Sequence, residues 1–399
     1  MTGLVLRAAA CAGALGLTVA ALSGCVPEPR AVEAGPTTAA TATARPSLTP
    51  TLSCAERIVA ELTPAERAGQ LIVAGLGSNE DVGLLDPLVA SYHLSGVVLL
   101  SGWDGGAAAA RAAADHLQSL AGDDTGGLGL LVSADQEGGQ IQQLRGPGFG
   151  DLPSGVEQGL LPVDALRQSA RSWGAELAAA GVNLNLAPVA DTVPADLGRG
   201  NPPIGGYGRQ YSSDPVAAAS SVRAFVEGMT EAGVATTVKH FPGLGRVTGN
   251  TDVTAEGTTD TVTGAGDVGP FAAGIDAGAG VVMMSSAFYT QLDPASEAVF
   301  SRPIVTGLLR GQLGFDGVVM SDDIGVAAAV SSTAVEERAT RFVAAGGDIA
   351  LTADPAAVAP FHDSLLAAMT ADPTFADRVE ESATRVVRLK IDLGLATCG

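Results

Sequence analysis

The chain has 399 residues, 46% of them hydrophobic, which suits one large domain or two average ones and leaves the choice to the pattern of elements. Its formal net charge is -21, from 43 acidic against 22 basic residues with no Lys/Arg cluster, so phosphate backbones and anionic lipid surfaces would be repelled and nucleic acid is set aside as a partner. The cysteines, Cys11, Cys25, Cys54 and Cys398, lack metal-type spacing.

The N-terminus reads as an export signal, with Arg7 ahead of an apolar run from Ala8 to Leu22 and then Leu22-Ser23-Gly24-Cys25. The run is short and broken by Gly13 and Gly16, a poor membrane span. Leu-Ser-Gly-Cys resembles the bacterial lipobox, which implies removal of residues 1–24 and Cys25 as the lipidated first residue. The expected location is then the outer face of the cytoplasmic membrane, with membrane contact through the lipid anchor only. Residues 25–51 are dominated by Pro, Thr and Ala and hold little that could pack, so they form a disordered tether, and the folded domain spans 52–399. With Cys11 in the signal and Cys25 taken, Cys54 and Cys398 are left at the two ends of that domain. Export into oxidising surroundings predicts a bridge between them.

Thr63-Pro64-Ala65-Glu66 supplies a helix start with a capping Thr, Pro at the first helical position and Glu three residues on. Eight short apolar runs follow: 71–76, 96–100, 130–134, 182–187, 235–238, 281–284, 317–320 and 348–351. Most are continuously apolar, as parallel strands covered on both faces must be, and Ala-rich amphipathic segments such as 216–232 lie between them. Without a Gly-rich fingerprint after the first strand, the pattern predicts a single (β/α)8 barrel of the TIM type in preference to an open doubly wound sheet.

A barrel gathers its site at the C-terminal strand ends. There the sequence has Asp135-Gln136-Glu137-Gly138-Gly139, Asp191, Lys239-His240, Ser285-Ser286 and Ser321-Asp322-Asp323, all expected at one mouth. One strand-end Asp could simply cap a helix, but five polar ends together point to chemistry. Carboxylates with one Lys and one His offer no zinc or iron constellation, so no metal and no cofactor is expected. Paired carboxylates are the equipment of glycosidases.

These residues resemble a known family. Lys239-His240-Phe241-Pro242-Gly243-Leu244-Gly245 is similar to the KHFPGHG motif of family 3 glycoside hydrolases, specifically their β-N-acetylglucosaminidases; Asp135 to Gly139 is similar to its DQEGG, and Ser321-Asp322-Asp323-Ile324 to its SDDL. Arg209-Gln210-Tyr211-Ser212-Ser213-Asp214-Pro215 resembles R-x-F-G-x-D-P, with Pro202-Pro203 in an inserted loop before it. The resemblance spans roughly Leu62 to Leu395. It implies Asp322 as nucleophile with retention of configuration, Asp323 as an orienting group, and Asp135, Arg209, Lys239 and His240 as substrate-binding residues. The implied partner is a carbohydrate containing N-acetylglucosamine, a glycan or a muropeptide, and a monomer is expected.

The departure from the family pattern lies after PGLG. Where the family carries Asp-Ser-His, whose Asp-His dyad supplies the acid/base, this chain has Asn250-Thr251-Asp252, and Leu244 replaces the second motif histidine. None of His93, His116, His240 and His362 falls between Gly245 and Thr263. Asp252 is therefore the expected proton donor, with Glu256 and Asp260 of the same Gly/Thr-rich loop as alternatives. Two other readings stay open: a β-glucosidase-type exo-hydrolase, and a surface lipoprotein that binds sugar without cleaving it.

Overall fold

The computed structural model describes residues 52–398. The signal (1–24), Cys25 and the tether (25–51) lie outside the described residues. Eight parallel strands close into a barrel: β1 (Ile72–Gly77), β2 (Gly96–Leu100), β3 (Leu131–Ala134), β4 (Leu184–Asn185), β5 (Ala235–Phe241), β6 (Val281–Met284), β7 (Val318–Asp323) and β8 (Ile349–Thr352). Neighbours in sequence are neighbours in the barrel, and β8 closes on β1 with Ile72 opposite Ala350. This is the TIM-type fold expected from the eight apolar runs.

Two apolar layers explain why those runs do not alternate. Inward-facing Val73, Val98, Leu184, Val281, Val318 and Ile349 fill the barrel, while the intervening residues pack outward under the helices, with Ile72, Val97, Val282 and Val319 fully buried there. The helix starts follow local chemistry. Thr63 caps Pro64–Gly69 in a reciprocal capping box with Glu66, and Asp214 caps Pro215–Glu231 by accepting the Val216 N–H, with Pro215 in the first turn.

Strand bounds differ from the apolar runs where the backbone changes partner. β4 pairs only over Leu184–Asn185, and its chain continues to Pro188, which has no N–H to offer a ladder. β5 and β7 extend past their apolar ends to Phe241 and Asp323, each with a register slip near its C-terminus. At the opposite end of the barrel, Cys54 and Cys398 form a disulfide with a Cα–Cα distance of 5.7 Å, tying helix Cys54–Glu61 to the segment after helix Pro373–Asp392.

Candidate active site

The strand ends surround a cavity of about 260 Å³ at the C-terminal mouth. Asp135, Arg209, Lys239, His240, Asp252 and Asp322 all line it, as do Asp323 and Leu244. Its floor is apolar, formed by Val98, Leu186, Met283 and Leu351 from the inner layer of the barrel.

The register slips account for two groups at each critical strand end. In an undisturbed strand, adjacent side chains point to opposite faces. The β5 ladder slips between Val238 and Phe241 and the β7 ladder between Met320 and Asp323, so Lys239 with His240, and Asp322 with Asp323, reach the same cavity. The Asp322 carboxylate accepts the Asp323 N–H at 2.9 Å, and Asp323 in turn accepts the N–H groups of Gly325 (2.8 Å) and Val326 (3.2 Å), holding the turn after β7. Asp323 thus orients the strand end.

The positive side of the mouth is organised by Glu137, to which no role was given in advance. Arg209 donates from Nε (2.8 Å) and Nη2 (2.7 Å) to the two Glu137 oxygens, and Lys239 Nζ lies 2.6 Å from Glu137 Oε1 while also bonding Asp135. Burial opposes the Glu137 charge, but Arg209 and Lys239 overcome it and bring its carboxyl down to about 2. The same carboxylates hold the buried Lys239 charged, raising it above the ordinary lysine range against desolvation. Glu137 was findable, since it belongs to the same polar stretch after β3 as Asp135, and both meet Lys239.

Asp191, fully buried, does not line the cavity; it stands behind His240. It accepts the His240 Nδ1 contact at 2.7 Å, the His240 N–H at 3.2 Å and the Leu244 N–H at 2.7 Å, so one carboxylate fixes the whole Lys-His-Phe-Pro-Gly-Leu turn. Arg209 Nη2, which can only donate, meets His240 Nε2 at 3.3 Å, leaving Nδ1–H for Asp191. Ser285 and Ser286 are also absent from the mouth. Ser285 accepts the Ala287 N–H and is bonded to Tyr289, and both serines are buried behind the wall.

Among the acid/base candidates, geometry separates three carboxylates. Asp260 is buried and committed to the Val262 and Thr263 N–H groups and the Thr263 hydroxyl. Glu256 is exposed and does not line the cavity. Asp252 lines it, and its loop is docked: Ala328 and Ala329, just after β7, donate to the Asp252 and Thr251 carbonyls, and Thr248 and Gly249 both donate to Gly257. Burial pushes the Asp322 carboxyl up to about 6. Asp252 reinforces the rise, while the Asp323 N–H and Lys239 oppose it.

Comparison with known proteins agrees with this architecture. The model of the glycosyl hydrolase family 3 N terminal domain matches residues 65–389. A beta-hexosaminidase of Xanthomonas euvesicatoria is 42% identical over 239 residues, covering 58% of this chain and 69% of the relative. The solved beta-N-acetylhexosaminidase of Beutenbergia cavernae superposes with a TM-score of 0.80 at 46% identity, over 83% of this chain and 99% of that one. M tuberculosis LpqI superposes at 0.74 with 29% identity, over 84% and 96%. The carboxylate-lined mouth therefore sits on a domain of known kind: the chain belongs to glycosyl hydrolase family 3 and is a glycosidase.

Proposed function

We propose that the protein is a β-N-acetylhexosaminidase that removes terminal non-reducing β-linked N-acetylglucosamine from glycans or peptidoglycan fragments with net retention. It does so from the outer face of the cytoplasmic membrane, held there by lipid on Cys25. The observation that carries this reading is the pairing of Asp322 with Asp252 in one small cavity whose other wall holds Asp135, Arg209, Lys239 and His240. The cavity volume lies below the roughly 300–1,000 Å³ of sites for larger ligands, which suits one sugar ring and exo action. Beta-hexosaminidase relatives support the acetamido sugar.

In this mechanism Asp322 attacks the anomeric carbon, the glycosidic C–O bond breaks, and the leaving oxygen takes a proton from Asp252. Water then attacks the same carbon as Asp252 takes its proton, and the bond to Asp322 breaks to release the sugar. Asp135, with Lys239 beside it, receives sugar hydroxyls, and Arg209 is kept rigid for the same task by Glu137.

The test is release of p-nitrophenol from its β-N-acetylglucosaminide by residues 52–399, compared with Asp322→Ala and Asp252→Ala. Loss of activity by about 10²-fold or more in both is expected. Full activity of Asp322→Ala would sink the mechanism, and a parent that binds N-acetylglucosamine without turnover would favour the sugar-binding lipoprotein.

A further inference from the structure

The loop that carries Asp252 is shaped by the residue two places before it. The Asp252 N–H donates to Asn250 Oδ1 at 3.0 Å, and the Val253 and Thr254 N–H groups donate to the Asn250 carbonyl at 3.1 and 3.0 Å. A side-chain oxygen that accepts the N–H two residues on closes an Asx turn, which fixes the backbone from which the Asp252 side chain projects. Asn250 itself lines the catalytic cavity together with Thr251 and Asp252.

Aspartate makes the same turn, and elsewhere the chain uses it: Asp214, Asp260, Asp354 and Asp372 each accept the N–H two residues on. Asn250 differs from those positions in where it stands. Asp252, Asp322 and Asp323 already line the cavity, and its two cations are taken, Lys239 by Asp135 and Glu137 and Arg209 by Glu137. His240, accepting from Arg209 and donating to Asp191, adds no charge. On the loop itself, Arg246 lines a separate groove with Thr263 and Asp267, Glu256 is exposed off the cavity, and Asp260 is tied to Val262 and Thr263. A carboxylate at position 250 would join the like charges around Asp322 with no free cation to answer it, and would favour the protonated form of the nucleophile.

With Asp252 as acid/base and Asp322 as nucleophile, the reading on which this inference rests, we propose that Asn250 is a positioning residue of the reaction: its side-chain oxygen holds Asp252 on the cavity wall for proton transfer, and its neutrality spares the Asp322 carboxylate a further like charge. Substitution separates the two properties. Asn250→Ala removes the acceptor, and Asn250→Asp keeps it while adding a charge.

The experiment compares both variants with the parent on methyl and 2,4-dinitrophenyl β-N-acetylglucosaminides, whose leaving groups do and do not need a proton. Asn250→Ala should lower kcat by roughly tenfold or more on the methyl glycoside and far less on the dinitrophenyl one, with the acid limb of kcat/KM in place. Asn250→Asp should keep the parent's ratio between the two substrates above the limb, while moving the acid limb on the dinitrophenyl substrate up by about half a pH unit or more. Equal effects of Asn250→Ala on the two substrates, or an acid limb unmoved by Asn250→Asp, overturns the proposal. Asp252→Ala, measured alongside, keeps the two readings apart. If it retains the parent's rate on the methyl glycoside, the acid/base assignment fails and this proposal with it; if it loses that rate while Asn250→Ala does not, this proposal alone fails.

Discussion

Asp322 works as a nucleophile only when ionised, yet burial drives its carboxyl up to about 6, with the Asp252 charge adding to the rise. The acid limb of kcat/KM should therefore fall near pH 6, well above an ordinary carboxylate. Asp252→Asn removes the like charge, so the limb should move to lower pH. The profile is measured with a 2,4-dinitrophenyl substrate, whose departure needs no proton, and an unmoved limb would remove Asp252 from the neighbourhood of the nucleophile. The same shift is a stability statement. A carboxyl whose folded value exceeds its unfolded value near 3.8 binds more protons folded than unfolded between the two, so stability falls as pH rises through that window and the deficit is complete above about 6. Asp322→Asn should then be more stable than the parent at pH 7 by about 1–2 kcal/mol, the half-open position of the carboxyl discounting the full shift. The gain should vanish near pH 4, as read by denaturant unfolding at the two pH values.

At the scale of elements, the barrel was legible because parallel strands buried on both faces leave continuous apolar runs, and polar residues ending five of the eight runs point to the mouth. Asp135, Lys239, His240 and Asp322 follow from that rule, and motif resemblance added Arg209 and Asp252. Period-two reasoning cannot anticipate the register slips of β5 and β7, which admit His240 and Asp323 beside their neighbours. Nor does a strand-end position tell a wall residue from its support, so Asp191 and Ser285 carried the same signal as Asp135 but lie behind the cavity. The loop holding Asp252 was least legible. Its Gly/Thr-rich composition carries no apolar period that would show where it packs, yet the backbone is pinned to Ala328 and Ala329 and closed on itself at Gly257. Gly249 makes that closure possible, since a Cβ there would lie 1.9 Å from the Glu256 carbonyl oxygen. Gly249→Ala should therefore displace Asp252 and lower kcat by roughly tenfold or more for an alkyl aglycone while sparing the dinitrophenyl substrate. Unfolding midpoints should change little, because the loop lies outside the barrel core. Equal losses on both substrates would show that the loop serves Asp322 and not proton transfer.

At the scale of the whole molecule, the barrel closes by β8 pairing with β1, and the disulfide fastens the chain ends beyond that seam. Cys54 and Cys398 are 344 residues apart, so the bridge removes a very large loop from the unfolded ensemble while constraining only helix Cys54–Glu61 and the last residues of the folded chain. Chain-entropy reasoning gives the most stabilisation to long loops, and values of about 2–4 kcal/mol are typical. The bridge lies at the face opposite the mouth, among Arg57, Leu62 and the Gly126–Leu128 turn that leads into β3, and shares no residue with the catalytic cavity. The double variant Cys54→Ser, Cys398→Ser should therefore unfold several degrees lower while keeping the parent's kcat/KM at 25 °C. Thermal unfolding of the parent with and without reductant reads the same quantity without mutation. A melting temperature unchanged by either route would mean that β8–β1 pairing and the packing of helix Pro373–Asp392 hold the ends unaided; lost activity with an intact fold would instead couple the two faces of the barrel.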